Sequence, residues 1–148
     1  MTNKIIGIQG DKLDKINISS DTSIFLAHEA QTLGYKIFYY TPSNLSIIKN
    51  KTYANGVFVK LNYERKKFYK IYKKQKIDVE NFKFILIRQD PPFNSEYLIT
   101  TLILDNLKKT RVINNPVAIR NVSEKLYSKK FIKYMPDTIF SCLLYTSP

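Results

Sequence analysis

The first 42 residues read as a strand, a helix and a second strand, and that order constrains the fold more than any other feature of the chain. Residues 4–9 (KIIGIQ) form an unbroken apolar run that stops at Gly10 and a polar loop, the pattern of a strand buried on both faces. Asp21, or Ser20 before it, can cap a helix whose apolar positions fall at Ile24, Ala27, Ala30 and Leu33 and whose end is marked by Gly34. Residues 35–41 (YKIFYYT) are β-prone and close at Pro42. A helix between two strands is the connection that parallel strands need, so the chain opens as a βαβ unit and the expected class is α/β.

The same order returns later. Residues 82–88 (FKFILIR) form a second apolar strand, which empties into Gln89-Asp90-Pro91-Pro92-Phe93, where two prolines forbid either ladder or helix. Residues 95–109 carry Tyr97, Leu98, Thr101, Leu102 and Leu107 at helical spacing, and Arg111-Val112-Ile113-Asn114 comes next as a strand stopped by Asn115-Pro116. Between the two units, residues 52–61 are expected to form a small hairpin turned at Asn55-Gly56. Residues 63–76 are expected to form a basic amphipathic helix with Phe68, Ile71 and Tyr72 on its apolar face. Residues 121–130 read as a short helix capped by Ser123, with Leu126, Tyr127 and Phe131 as its stripe.

At 148 residues, 44% hydrophobic and 24% charged, the chain is one globular domain rather than a multidomain machine or a disordered segment. Its net charge of +12 favours anionic partners. Yet only four of the 24 basic residues are Arg (Arg65, Arg88, Arg111, Arg120), a Lys bias that nucleotide-composition pressure would also produce. A lone cysteine, Cys142, excludes an internal disulfide, and no Cys/His set has zinc spacing. No signal-peptide block or run of about 20 apolar residues is present, so a reducing cytoplasm without membrane attachment is the expected setting.

Few motifs carry chemistry. Gly7-Ile8-Gln9-Gly10 lacks the spacing of a dinucleotide-binding turn, and four glycines cannot supply a glycine-rich phosphate flap. His28, the only histidine, sits mid-helix beside apolar residues and reads as a packed ring, not a catalytic base. The lysines and aromatics of residues 63–76 could neutralise and stack single-stranded nucleic acid, which makes a small basic nucleic-acid-binding α/β module the alternative reading. A pure assembly domain is a third. Arg88 and Asp90 are more informative, because they fall at a strand's carboxyl end, where open α/β sheets bind ligands. The alternative is an Arg–Asp pair that merely braces the loop.

Several segments together carry a family likeness: Asn17-Ile18 with Asp21-Thr22-Ser23, Glu29-Ala30-Gln31 with Gly34-Tyr35, Arg88-Gln89-Asp90-Pro91-Pro92-Phe93 with Glu96-Tyr97, Val112-Ile113-Asn114-Asn115-Pro116, and Arg120-Asn121 with Glu124-Lys125-Leu126-Tyr127. In this order the series resembles the N-terminal part of bacterial glutathione synthetase. It departs at Gln89, where the family commonly has Lys, at His28, where it has an aliphatic residue, and over the last eight residues.

The resemblance implies a Rossmann-like pre-ATP-grasp domain, a mostly parallel sheet flanked by helices. It further implies a ligase that joins γ-glutamylcysteine to glycine at the expense of ATP, with Mg2+ on the phosphates. A carboxylate is a poor electrophile, so phosphorylation first converts it to a mixed anhydride that an amine can attack. Carried over residue by residue, Lys125 matches a family lysine that reaches ATP. Arg88 and Asp90 match the loop near the cleft, and Asn17, Asp21 and Ser23, which follow strand one, lie at the cleft edge too, all as substrate-binding residues. The resemblance assigns no catalytic residue or metal ligand to this stretch; those lie in an ATP-grasp domain further on. Residues 1–120 are thus expected to be the substrate-side domain, 121–140 the start of the ATP-grasp region, and 141–148 a truncated or non-native tail of a shortened gene product. Such a fragment is expected to be inactive alone, and the full-length protein to be a homo-oligomer. The reading requires Arg88 and Lys125 to converge on one hollow.

Overall fold

The computed structural model describes residues 4–62, 67–122 and 126–140. Among them, one seven-stranded sheet is built from β1 (Ile5–Gln9), β2 (Lys36–Tyr40), β3 (Leu45–Ile48), β4 (Lys51–Leu61), β5 (Tyr69–Asp78), β6 (Phe84–Ile87) and β7 (Arg111–Ile113). The helices are α1 (Thr22–Thr32), α2 (Ser95–Asp105) and α3 (Pro116–Asn121). The sheet order is β3-β4-β2-β1-β6-β7, with β5 on β4.

Side-chain alternation divides the core into two layers. Ile6, Ile8 and Ile37 face α1 and pack on Ile24 and Ala27. Phe38, Ile85 and Ile87 face the other way and pack with Leu104 of α2. Burying one such Ile or Leu contributes about 1.5–3 kcal/mol, so each helix is held chiefly by its core side chains. The chain therefore runs from β1 to β2 over one face, and from β6 to β7 in the opposite direction over the other. Its path reverses between β1 and β6, the adjacent central strands. In doubly wound sheets the crevice beyond the strands' carboxyl ends at such a reversal is the usual ligand site.

The α/β class and both βαβ units stand. Asp21 caps α1 by accepting the Ile24 N–H at 2.8 Å, and Gly34 closes the helix at φ +83°, a left-handed position suited to glycine. The expectation of a mostly parallel sheet needs correction. β1–β2, β1–β6 and β6–β7 are parallel, but β2–β4, β3–β4 and β4–β5 are antiparallel. Between β2 and β6, β3 continues in the direction of β2, the tight turn after β3 returns β4 antiparallel to both, and β5 pairs antiparallel along β4.

Within that segment the expected hairpin at Asn55-Gly56 is absent, because β4 runs straight through it. The turn lies at Lys49-Asn50, both at positive φ (46° and 62°), the conformation of a two-residue primed turn. Gly56 serves a different need: a Cβ there would strike the Tyr39 carbonyl oxygen and lie 2.8 Å from the Phe38 ring. The expected basic helix is also corrected. Residues 63–66 lie outside the described residues, and most of the remainder belongs to β5, paired along β4 from Leu61↔Tyr69 to Tyr53↔Asp78. A bulge opposite Phe58 and Val59 adds a residue to β5, and this irregularity makes a strand mimic the i, i+3, i+4 spacing of a helix. Lys67 and Lys76 sit over the Tyr69 and Tyr53 rings at 4.9 and 5.1 Å, so part of this basic aromatic surface is engaged within the fold.

Asn115-Pro116 was expected only as a stop, yet it starts α3. The Asn115 side chain accepts the Ala118 N–H at 2.9 Å, and Pro116 takes the first helical position, which its fixed φ suits. The helix expected over residues 121–130 is instead a run of 3-10 turns at Leu126–Tyr134, interrupted at Phe131, while its expected cap Ser123 lies outside the described residues. No helix among the described residues is long and apolar enough to cross a membrane.

Candidate functional site

Parallel strands end at the same edge of a sheet, so β1 and β6 deliver their next residues side by side. The Arg88 N–H donates to the Gln9 carbonyl at 2.7 Å, and Asp90 N–H to Asp11 Oδ2 at 2.9 Å. Beneath these contacts the side-chain amides of Gln9 and Gln89, both buried, meet, with Gln9 Nε2 donating to Gln89 Oε1. Gln89, which stands where the resembled family has Lys, thus contributes a neutral contact that locks the two loops together.

The third wall comes from α1 and the loop before it. Asn17 folds that loop: its Oδ1 accepts the Ser19 hydroxyl at 2.7 Å, and its carbonyl accepts the Asp21 N–H at 3.1 Å. Asp21 then starts α1, which presents the hydroxyls of Thr22 and Ser23 to the strand ends. Arg88 uses both, its Nε donating to Ser23 Oγ and its Nη2 to Thr22 Oγ1, each at 2.8 Å. The brace between Arg88 and Asp90 does not form: among the described residues Arg88 donates to Ser23 and Thr22, and the Arg–Asp ion pair lies elsewhere, between Arg120 and Asp105.

Together these groups line a polar cleft of about 290 Å³, which includes Asp11, Asn17, Asp21, Ser23, Arg88 and Asp90. Tyr39, near the end of β2, reaches it from below and donates its hydroxyl to the Asp11 carbonyl at 2.7 Å. Burial, and then the charges of Asp21, Asp11 and Asp90, hold the Tyr39 phenol far above the ordinary tyrosine range. The Tyr97 phenol on α2 is also raised, first by burial; Arg88 opposes the rise, while Asp90 and Asp11 add to it. Burial thus keeps both phenols neutral, and Tyr39 uses its proton as a donor. A larger hollow of about 420 Å³, near Ile5, Lys36 and Phe58, lies at the strands' opposite ends, away from these converging polar groups.

The structure brings Asn17, Asp21, Ser23, Arg88 and Asp90 into one cleft. Lys125 lies outside the described residues, as does Cys142, so the convergence of Lys125 on Arg88 is not described. His28 is half-buried on α1, 3.5 Å from Glu29, and does not line the cleft. Sequence reasoning passed over Asp11, Thr22 and Tyr39. Asp11 was within its reach, because it comes directly after Gly10 at the end of β1, the edge where Arg88 and Asp90 were sought. No group of three or more His, Cys, Asp or Glu among the described residues could hold a metal ion.

Comparison with known proteins points to one family. The family model for the prokaryotic glutathione synthetase N-terminal domain matches residues 5–120. Glutathione synthetase of Mesorhizobium japonicum is 36% identical over 137 residues, which cover 92% of this chain and 44% of that protein. The glutathione synthetase of Wigglesworthia glossinidia brevipalpis is 34% identical over 139 residues (93% of this chain, 44% of that protein), and that of Buchnera aphidicola subsp. Acyrthosiphon pisum 35% over 136 (90% and 42%). The chain thus spans less than half the length of these relatives.

Proposed function

The chain belongs to the prokaryotic glutathione synthetase N-terminal domain family, and from that membership we propose that it is the substrate-side domain of an enzyme that ligates γ-glutamylcysteine to glycine at the expense of ATP. The observation that carries this reading is the cleft at the reversal between β1 and β6, where Arg88 is oriented by two hydroxyls of α1 and, among the described residues, paired with no carboxylate.

In this reading residues 1–120 form the domain proper, a boundary supported by the family model's span of 5–120, and 121–140 begin the next region. Lys125 is assigned to ATP by resemblance. We assign Mg2+ and most nucleotide contacts to parts of such an enzyme beyond the matched stretch, and derive no step through them. What the described residues do is bind and orient. Arg88 presents N–H donors to a carboxylate, Asp11 and Asp90 accept from donors on the ligand, and Asn17 with Asp21 holds the loop that closes the cleft. Holding the dipeptide fixed while its cysteinyl carboxylate is activated lowers the entropic part of the barrier. A thiol substrate and ATP suit the reducing cytoplasm.

The test is a chimera in which this chain's residues 5–120 replace the matching part of the Mesorhizobium japonicum enzyme. ATP-dependent formation of glutathione from γ-glutamylcysteine and glycine is the expected result. A folded chimera that binds ATP yet forms no product would overturn the proposal. A salt-dependent mobility shift with single-stranded oligonucleotides would favour a nucleic-acid-binding module instead.

A further inference from the structure

The hollow at the opposite ends of the strands has a chemistry of its own. Its volume of about 420 Å³ is that of a small-molecule site. β4 runs between β2 and β5, and Phe58 pairs with Phe38 on one side and with Lys73 on the other. Lys36 precedes Phe38 by two residues and so shares its face of the sheet, beside its β1 partner Ile5. The floor is apolar, with Phe58 and Ile77 buried in the core layer that also holds Leu104 of α2. Tyr72, the residue that the β5 bulge leaves unpaired, forms a wall: its ring centre lies 5.8 Å from that of Phe58, yet 55% of the residue is exposed. Gln75 and Asn81 complete the rim, and among the described residues neither side-chain amide has a hydrogen-bond partner. Lys36 and Lys73 are the charged groups on the described lining, and neither forms an ion pair or sits over an aromatic ring there. Lysines on an edge strand deter pairing with other chains, which accounts for Lys70 and Lys74 of β5. It does not account for Lys36, on the interior strand β2.

We infer that this hollow is a second ligand site, which takes a free nucleoside monophosphate, its base against Tyr72 over the apolar floor and its phosphate between Lys36 and Lys73. The site is separate from the cleft, because β1 runs from Ile5 at the hollow to Gln9 at the cleft, about 13 Å away at about 3.3 Å per residue. Charge and shape select the ligand class. Two ammoniums that share a lining with no carboxylate reject a metal cation and favour an anion, and a lysine meets a phosphate as a point charge. An exposed aromatic face stacks a base of any sequence. The amides of Gln75 and Asn81 each carry donors and an acceptor, as the edge of a base does. An aliphatic anion would leave Tyr72 and the two amides unused, and a bare phosphate would leave the apolar floor in water. Both ammoniums flank one hollow, which suits a single dianionic phosphate, whereas a nucleic-acid strand presents one charge per phosphate in a row.

The test uses the isotopically labelled 148-residue chain and its backbone amide resonances, with Lys36, Lys73 and Gln75 reporting on the hollow and Asp11 and Asp90 on the cleft. Adenosine 5′-monophosphate is expected to shift the first set and to leave the second in place. Adenosine, which lacks the charge, and ribose 5-phosphate, which lacks the base, are expected to bind at least tenfold more weakly. Replacing both lysines, Lys36→Gln with Lys73→Gln, is expected to weaken the nucleotide at least tenfold and to leave adenosine unchanged, whereas Tyr72→Ser should weaken both. Each of four results would overturn the inference: nucleotide shifts that miss the hollow, adenosine or ribose 5-phosphate bound as tightly as the nucleotide, nucleotide affinity that survives the loss of both lysines, or a short single-stranded oligonucleotide that moves the same resonances at lower concentration. The outcome is independent of the ligase reading, since the hollow shares no lining residue with the cleft.

Discussion

Ahead of β6, the Glu80 carboxylate accepts the backbone N–H groups of Lys108 (2.8 Å), Lys109 (2.9 Å) and Thr110 (2.9 Å), whereas past the far end of the strand the Asp90 carboxylate has no hydrogen-bond partner among the described residues. At the amino-terminal end the acid ties the loop after α2 to the turn before β6, and the fold consumes its charge. At the carboxyl-terminal end Asp90 and Arg88 share a cleft without pairing, and their charge is left for something else. An acid saturated by backbone donors is architecture, while one left open beside a guanidinium that meets no carboxylate among the described residues is, in the proposed reading, a ligand group. Burial raises Glu80, but the three N–H donors and the nearby Lys109 ammonium outweigh it and hold its carboxyl below the ordinary range.

This contrast can be broken or sharpened at either end. The largest effect is expected from Arg88→Met, which should weaken γ-glutamylcysteine about 100-fold in a binding titration while the chain still melts cooperatively. A chain that no longer folds would place Arg88 with Glu80 among the structural groups. Next, Glu80→Gln should cost about 2 kcal/mol in denaturant unfolding, the scale of hydrogen bonds to a charged group, and leave ligand affinity unchanged.

The same acid fixes a pH dependence. Because its folded pKa lies below the unfolded one, its contribution is complete above the unfolded value of about 4.3. It is lost as pH falls through the depressed folded value. Stability profiles of the parent and Glu80→Gln chains should therefore converge on acidification below about pH 4. Asp90→Asn should reverse the pattern of Glu80→Gln, with about tenfold in affinity and less than about 0.5 kcal/mol in stability. The smallest effect is expected from Tyr39→Phe, which removes one hydrogen bond to the Asp11 carbonyl and should cost about 1 kcal/mol by thermal melting.

Much of this could be read locally. Strand β1 comes from an unbroken apolar run, and α1 from Asp21 and Gly34 at its two ends, because each signal acts within a few residues of its own position. Arg88 and Asp90 could be placed at the ligand edge because a strand's direction already says which end is carboxyl-terminal. Local signals failed where a partner strand decided the outcome. Asn55-Gly56 has the composition of a turn, but Gly56 is needed where Phe38 and Tyr39 of β2 press against β4. The spacing of Phe68, Ile71 and Tyr72 suits a helix, but pairing with β4 and a bulge at Phe58 and Val59 make the segment a strand.

The sequence by itself determined the α/β class, the two strand–helix–strand units and the motif that ends β6, since propensity, capping and apolar periodicity are properties of neighbours along the chain. Tertiary structure alone decided that the sheet is half antiparallel, and that Asp11, Tyr39 and Thr22 join Arg88 and Asp90 in one cleft. It alone decided, too, that Glu80 is spent on a loop while Asp90 is not. Whether a charge is satisfied depends on donors about 28–30 residues away in the chain, and only the packed fold brings those donors within hydrogen-bonding distance.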